Sequence, residues 1–226
     1  VAPAVERSTI PPDAASGRRI DRAGEDAAVP GPREPSHPQR IGAGTRVRIP
    51  GGEQALSARY TVRELDDVHA SHNPFSFEPN PAYEHRNDRN YADPKNAERI
   101  VKQAQQFDPA YLVTDAPDAV NGPPVIDRNG NVLGGNSRTM TLARVYQDHP
   151  EHAEAYRRAL AEKAEQFGLD PEQVLAMRRP VLVRELVAEV EPQRAITDLN
   201  KTGTAALTPA ERALADSRRV SEQTLE

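Results

Sequence analysis

Over residues 1–44 the hydrophobic and polar positions follow neither a helical nor a strand period. Pro, Gly, Ala, Ser and balanced charges are intermixed there. Eight of the 21 prolines fall in the first fifty positions and no aromatic precedes Tyr60, so a core cannot be built from this stretch and it is expected to be a disordered linker. From Thr45 the pattern changes. Thr45 to Ile49 alternates charged and apolar residues, Pro50-Gly51-Gly52 makes a turn, and Leu56 to Leu65 is a second extended run, which predicts a hairpin. Asp66 to Pro94 is a long polar loop broken by Pro74, Pro79 and Pro81, yet it carries Phe75, Phe77, Tyr83 and Tyr91. Four aromatics are costly to leave in water, so they are expected to pack back onto the core; a docking surface or lid is the alternative.

Asp93-Pro94 is a helix entry, and Ala97, Ile100, Val101, Ala104 and Phe107 follow at helical spacing, which predicts a helix over 94–107. Val125-Ile126 and Val132-Leu133 flank Asn129-Gly130, which predicts two short strands joined by a two-residue turn. Helices are expected over 137–147, over 150–167 with Gly168 as its stop, and briefly after Asp170-Pro171. Pro180 to Val187 reads as a strand. The order is β, α, β, β, α, α, α, β: a small mixed sheet with packed helices, an α/β (α+β) domain over 45–190. A C-terminal helical segment, 191–226, follows, in which Thr208-Pro209-Ala210-Glu211 is a capping box.

The candidate chemistry centres on Gly134-Gly135-Asn136-Ser137-Arg138-Thr139. Two glycines let a backbone approach a ligand, the amides at the start of the next helix point outward, and a guanidinium can add a charge-assisted fork to a phosphate. The same residues also suit an ordinary strand-to-helix turn.

That segment resembles the nucleotide pocket of the ParB/sulfiredoxin-like superfamily, and in particular its DdrB-like ParB branch from large phage and mobile-element proteins. The likeness rests on Asn121 to Val125, Gly134 to Leu142, Asn73-Pro74-Phe75, Pro79 to Tyr83, Phe107-Asp108-Pro109 and Leu199-Asn200 with Leu207 to Glu211. It implies a nucleotide- or phosphate-binding module of a larger DNA-processing, mobile-element or defence protein. The implied ligand is a nucleoside triphosphate with Mg²⁺, held by Asn121, Gly134, Gly135, Asn136, Ser137, Arg138, Thr139, Asn200 and Lys201, with Asp198 and Asn200 as candidate magnesium ligands. The resemblance also implies an alternative, a nucleotide-dependent phosphotransferase, hydrolase or nuclease, and the aromatic loop offers another, a protein-docking domain without ligand. ParB proteins carry a glutamate for hydrolysis where this chain has Asn136, and a carboxamide cannot act as a general base, so the enzyme reading stays open and no catalytic residue is named. Sulfinic-acid repair requires a loop cysteine, and the chain has no cysteine; this also removes disulfides and thiolate metal sites.

A net charge of −5 and a pI near 5.8 provide no electrostatic footprint for broad DNA binding, so DNA is expected to be reached through other domains. The arginine pairs at 157–158, 178–179 and 218–219 read as solvated surface. His69 with His72, and His149 with His152, have helix-face spacing but lack a third ligand, so no zinc is expected. Asp115, Asp118 and Asp127 read as turn formers rather than a nuclease cluster. No apolar run approaches a membrane span, and a cytoplasmic location is the default expectation.

Overall fold

The structure is a computed structural model, and it describes residues 34–50, 54–188 and 190–200. The chain divides into Val1–Gly31 and Pro32–Glu226, and every described residue belongs to the second unit. The expected linker up to residue 33, Lys201, the capping box at 208–211 and the arginine pair at 218–219 lie outside the described residues.

Ten elements follow in order: β1 (Arg40–Arg48), β2 (Ala55–Glu64), α1 (Pro94–Gln105), β3 (Val125–Ile126), β4 (Val132–Gly134), α2 (Asn136–Asp148), α3 (Pro150–Glu162), α4 (Pro171–Leu175), β5 (Pro180–Leu186) and α5 (Pro192–Asn200). The strands form one mixed sheet in the order β1-β2-β5-β3-β4. β1/β2, β2/β5 and β3/β4 are antiparallel, while β3 runs parallel to β5. This is the small α+β sheet expected, with β1 and β2 as the edge hairpin.

Capping explains where the helices begin. Asp93 accepts from the Lys95 amide and places Pro94 in the first turn, and Asp170 does the same with the amides of Glu172 and Gln173. The helix expected to run to Phe167 stops at Glu162; a 3-10 turn, Ala164–Phe167, finishes it, and Gly168 closes it in the left-handed region at φ +70°. The main core joins Tyr60, Val62 and Val181 to Val183 of the sheet with Leu142, Val145, Tyr156, Leu160 and Phe167. Two tyrosine hydroxyls at this core are partnered: Tyr146 donates to the Pro180 carbonyl at 2.6 Å, and the Leu182 amide donates to Tyr156 Oη at 3.0 Å. A second cluster packs Ala195, Ile196 and Leu199 of α5 on Val125, Leu133 and Leu186.

Three expectations need correction. β1 begins at Arg40, five residues before the expected edge, because Gly42 and Gly44 interrupt the alternation that marks a strand. Gly42 is there for space: a Cβ would lie 2.3 Å from the Phe167 carbonyl oxygen. The β3–β4 turn is not a two-residue loop. Only Gly130 has positive φ, at +85°, and the Gly130 and Asn131 amides donate to the Asp127 carbonyl and Oδ1, so Asp127 to Asn131 form a longer turn ending in a bulge. The loop aromatics divide: Tyr91 is buried, Tyr83 and Phe77 are partly buried, and Phe75 is exposed beneath the Arg144 guanidinium, 5.2 Å from its ring centroid.

Candidate functional site: an arginine-lined cleft at the start of α2

β4 delivers the chain to Gly135, whose φ of +94° is open to glycine, and α2 begins at the next residue. The reason for this glycine differs from the one the sequence suggests. A Cβ here would lie 2.8 Å from Arg138 Nη2, so the missing side chain makes room for the guanidinium to fold back over the turn. Arg138 then donates through Nη1 to the Gly122 carbonyl and through Nη2 to the Ala119 carbonyl, the latter at 2.6 Å. A guanidinium has five N–H donors, so three remain.

The same loop is held from inside the sheet by Arg184 of β5, which is fully buried. Its Nε and Nη2 donate to the Pro123 carbonyl at 3.0 and 2.7 Å, Nη1 donates to Ala116 and Asp118, and Nη2 also donates to Asn121 at 2.8 Å. Burial lowers its pKa to about 10. Burial, and then the charge of Arg184, push Arg138 down to about 9, so both are still cations at neutral pH.

Between α1, α2 and the end of α5 lies a recess of about 70 Å³, lined by Arg89, Tyr91, Arg99, Gln103, Tyr111, Ala119, Val120, Gly135, Asn136, Ser137, Arg138, Leu199 and Asn200. It contains three arginines and no carboxylate. Arg99, Gln103, Tyr111 and Arg138 also line an adjoining cavity of about 340 Å³, whose walls add Lys102, Gln106, Phe107, Asp108, Leu112 and Thr141, so one carboxylate faces this outer volume. That second volume lies within the range of small-ligand pockets.

The structure separates the residues expected at the site. Gly135, Asn136, Ser137, Arg138 and Asn200 line the recess. The Asn136 side chain is not available to a phosphate: its Oδ1 accepts from the Ser71 amide at 2.7 Å and its Nδ2 donates to the Val132 carbonyl at 3.2 Å. Thr139 is buried, donates to the Gly135 carbonyl and lines a different cavity behind α2, with Met140 and His72. Gly134 packs on Leu199. Asn121 is exposed and lends its carbonyl to Arg184 instead of lining the recess.

Of the two magnesium candidates, Asp198 lies 3.8 Å from Arg194 Nε and is not among the lining residues, whereas Asn200 lines the recess and uses its Nδ2, not the Oδ1 a cation would take, on the Ile196 carbonyl at 2.7 Å. No group of three acidic, His or Cys side chains suited to a metal exists among the described residues. Asp127 is indeed part of a turn, as its bond from the Asn131 amide shows.

Sequence reasoning missed Arg89, Tyr91, Arg99 and Tyr111. Arg99 was legible only as a polar position on α1, because its approach to Arg138 depends on how α1 packs on α2. The aromatic content of the 66–94 loop was the one signal pointing to Tyr91.

The ddrB-like ParB superfamily domain matches the chain over residues 52–187, which is more than half its length and includes β2 through β5. No curated protein and no solved structure matches. No helix among the described residues is long and apolar enough to cross a membrane. The loop clamped by Arg184 and Arg138, the glycine turn and the helix it opens all fall within the matched span, and the chain belongs to the ddrB-like ParB superfamily.

Proposed function

We propose that the cleft binds the phosphate groups of a nucleotide, and that the domain is a nucleotide-sensing module of a larger DNA-processing or mobile-element protein. One observation carries this reading: Arg89, Arg99 and Arg138 line a single recess at the N-terminus of α2 with no carboxylate in its wall. Guanidiniums beside a helix N-terminus favour an anion by charge and by dipole together. The adjoining cavity, with Tyr111, Phe107 and Leu112 in its walls, suits a base and sugar, and Lys102 adds a further cation. Binding without hydrolysis is the better-supported form. The Asn136 carboxamide is committed to Ser71 and Val132, and no acidic side chain of the recess is placed to activate water.

Arg99 provides the cleaner test, because Arg138→Ala also releases the Gly122 and Ala119 carbonyls. Calorimetric titration with the four ribonucleoside triphosphates and Mg²⁺ should give binding with at least one, and Arg99→Ala should weaken it by about tenfold or more. Silence from all four would overturn the reading and leave a docking role, for which exposed Phe75 and Tyr111 are the available anchors.

A further inference from the structure

Arg99, Gln103, Tyr111 and Arg138 line both the recess and the adjoining cavity, so these four residues form the passage between the two. Gln103 is held there from one side. Ser137 and Thr141, one turn apart on α2, both donate their hydroxyls to Gln103 Oε1, at 3.3 and 3.4 Å. A carboxamide oxygen has two lone pairs, and both are taken. Nε2 of the same group makes no hydrogen bond among the described residues, and the half-buried side chain has the passage as the open space beside it. Together with the two guanidiniums, the nitrogen end of Gln103 gives the passage a wall of N–H donors.

The volumes decide what can sit where. One water needs roughly 10–15 Å³ of such space, so the 70 Å³ of the recess admits a group of about five heavy atoms, one phosphoryl, and is too small for a base. A ligand that continues into the outer cavity must cross the passage, and the atoms that cross it meet donors. A second phosphoryl group offers them acceptor oxygens alone. A sugar placed there would bring hydroxyl protons that Oε1, already occupied twice, cannot take.

We propose that the Gln103 carboxamide is a ligand-contacting donor that makes the site selective for a phosphoanhydride: the terminal phosphoryl group occupies the recess and the second one crosses the passage, accepting from Nε2. This rests on the reading of the cleft as a phosphate site. Ser137 and Thr141 are positioning residues, because their hydroxyls hold the carboxamide with its nitrogen toward the passage. Pyrophosphate and nucleoside di- and triphosphates satisfy the same contacts, whereas a monophosphate fills the recess and leaves Nε2 unused.

Gln103→Met keeps the length of the side chain and removes the donor without adding charge, and Gln103→Glu keeps an acceptor for Ser137 and Thr141 while replacing the nitrogen by an oxygen. Binding of sodium pyrophosphate, sodium orthophosphate and the four nucleoside triphosphates is measured by calorimetry on the full chain of each protein. The wild type should bind pyrophosphate about tenfold or more tighter than orthophosphate, and Gln103→Met should lose about tenfold for pyrophosphate and less than about twofold for orthophosphate. Gln103→Glu should lose pyrophosphate at least as severely. Equal losses for the two phosphates in Gln103→Met, or pyrophosphate binding that survives either substitution, would overturn the inference and leave the phosphate site standing. A wild type that binds a nucleoside triphosphate but not pyrophosphate would overturn it too, since the passage would then serve the sugar or base. Silence of the wild type toward every probe would instead remove the underlying reading, and this inference with it.

Discussion

Two arginine clusters in this domain differ in one respect. In the sheet, Arg59 and Arg63 bracket Glu185, with Nη2 atoms 2.7 and 2.8 Å from its two carboxylate oxygens, and Arg63 and Glu185 are nearly fully buried. At the head of α2, Arg89, Arg99 and Arg138 share a recess with no acid in its wall. The first cluster carries its own counterion and holds strands together. The second lines an opening whose wall holds no carboxylate. Burying charge is costly unless it is paired, so the first cluster is structural, and the proposed reading makes the second receptive.

The largest effect should come from breaking the paired cluster. Glu185→Ala leaves Arg63 buried without its partner and should cost about 3–5 kcal/mol in denaturant unfolding. Arg99→Ala should change stability by no more than about 0.5 kcal/mol while losing ligand. If the two variants were equally destabilising, the contrast between the clusters would be lost. Next in size is Gly135→Ala. A left-handed backbone costs an alanine about 1–2 kcal/mol, and the new methyl would also push Arg138 away from the Ala119 and Gly122 carbonyls, so stability and ligand binding should fall together.

The smallest effect concerns a third, half-open pair, Asp127 Oδ2 with His85 Nε2 at 2.8 Å. Burial opposes ionisation of Asp127, but bonds from His85 and Asn131 outweigh it and hold the carboxyl below the usual range. Because the folded-state value is depressed, its stabilisation is present above the unfolded value, about 3.9, and is lost as pH falls through the folded one. Asp127→Asn should therefore flatten the acid side of the melting profile by less than about 1 kcal/mol and leave pH 7 to 8 nearly unchanged in slope. A steeper acid-side slope in the variant would contradict this.

The elements were legible because they are locally encoded. Asp93-Pro94 and Asp170-Pro171 each start a helix, Gly168 stops one, and the extended run from Leu56 to Leu65 is the second strand of the sheet. The site was legible only in its location. Gly135 and Arg138 do stand at the start of α2 as the sequence suggests, but the glycine makes room for the arginine and the arginine holds the 116–123 loop, neither of which spacing shows. Asn136 looked like a ligand in a motif but is a bracket between Ser71 and Val132, because its burial is set by tertiary packing that spacing does not reveal. Arg99, Tyr91 and Arg184 come from three separate segments. Nothing in their neighbours indicates that they meet around one loop.

Arg184 makes all its contacts with that loop through main-chain oxygens. A planar fork gripping carbonyls is indifferent to which side chains the loop displays and sensitive to how many peptide units it contains. Within such a grip the outward-facing residues are free to diverge and retune what the cleft accepts, while a single inserted or deleted residue would leave buried donors without oxygens and break the mould.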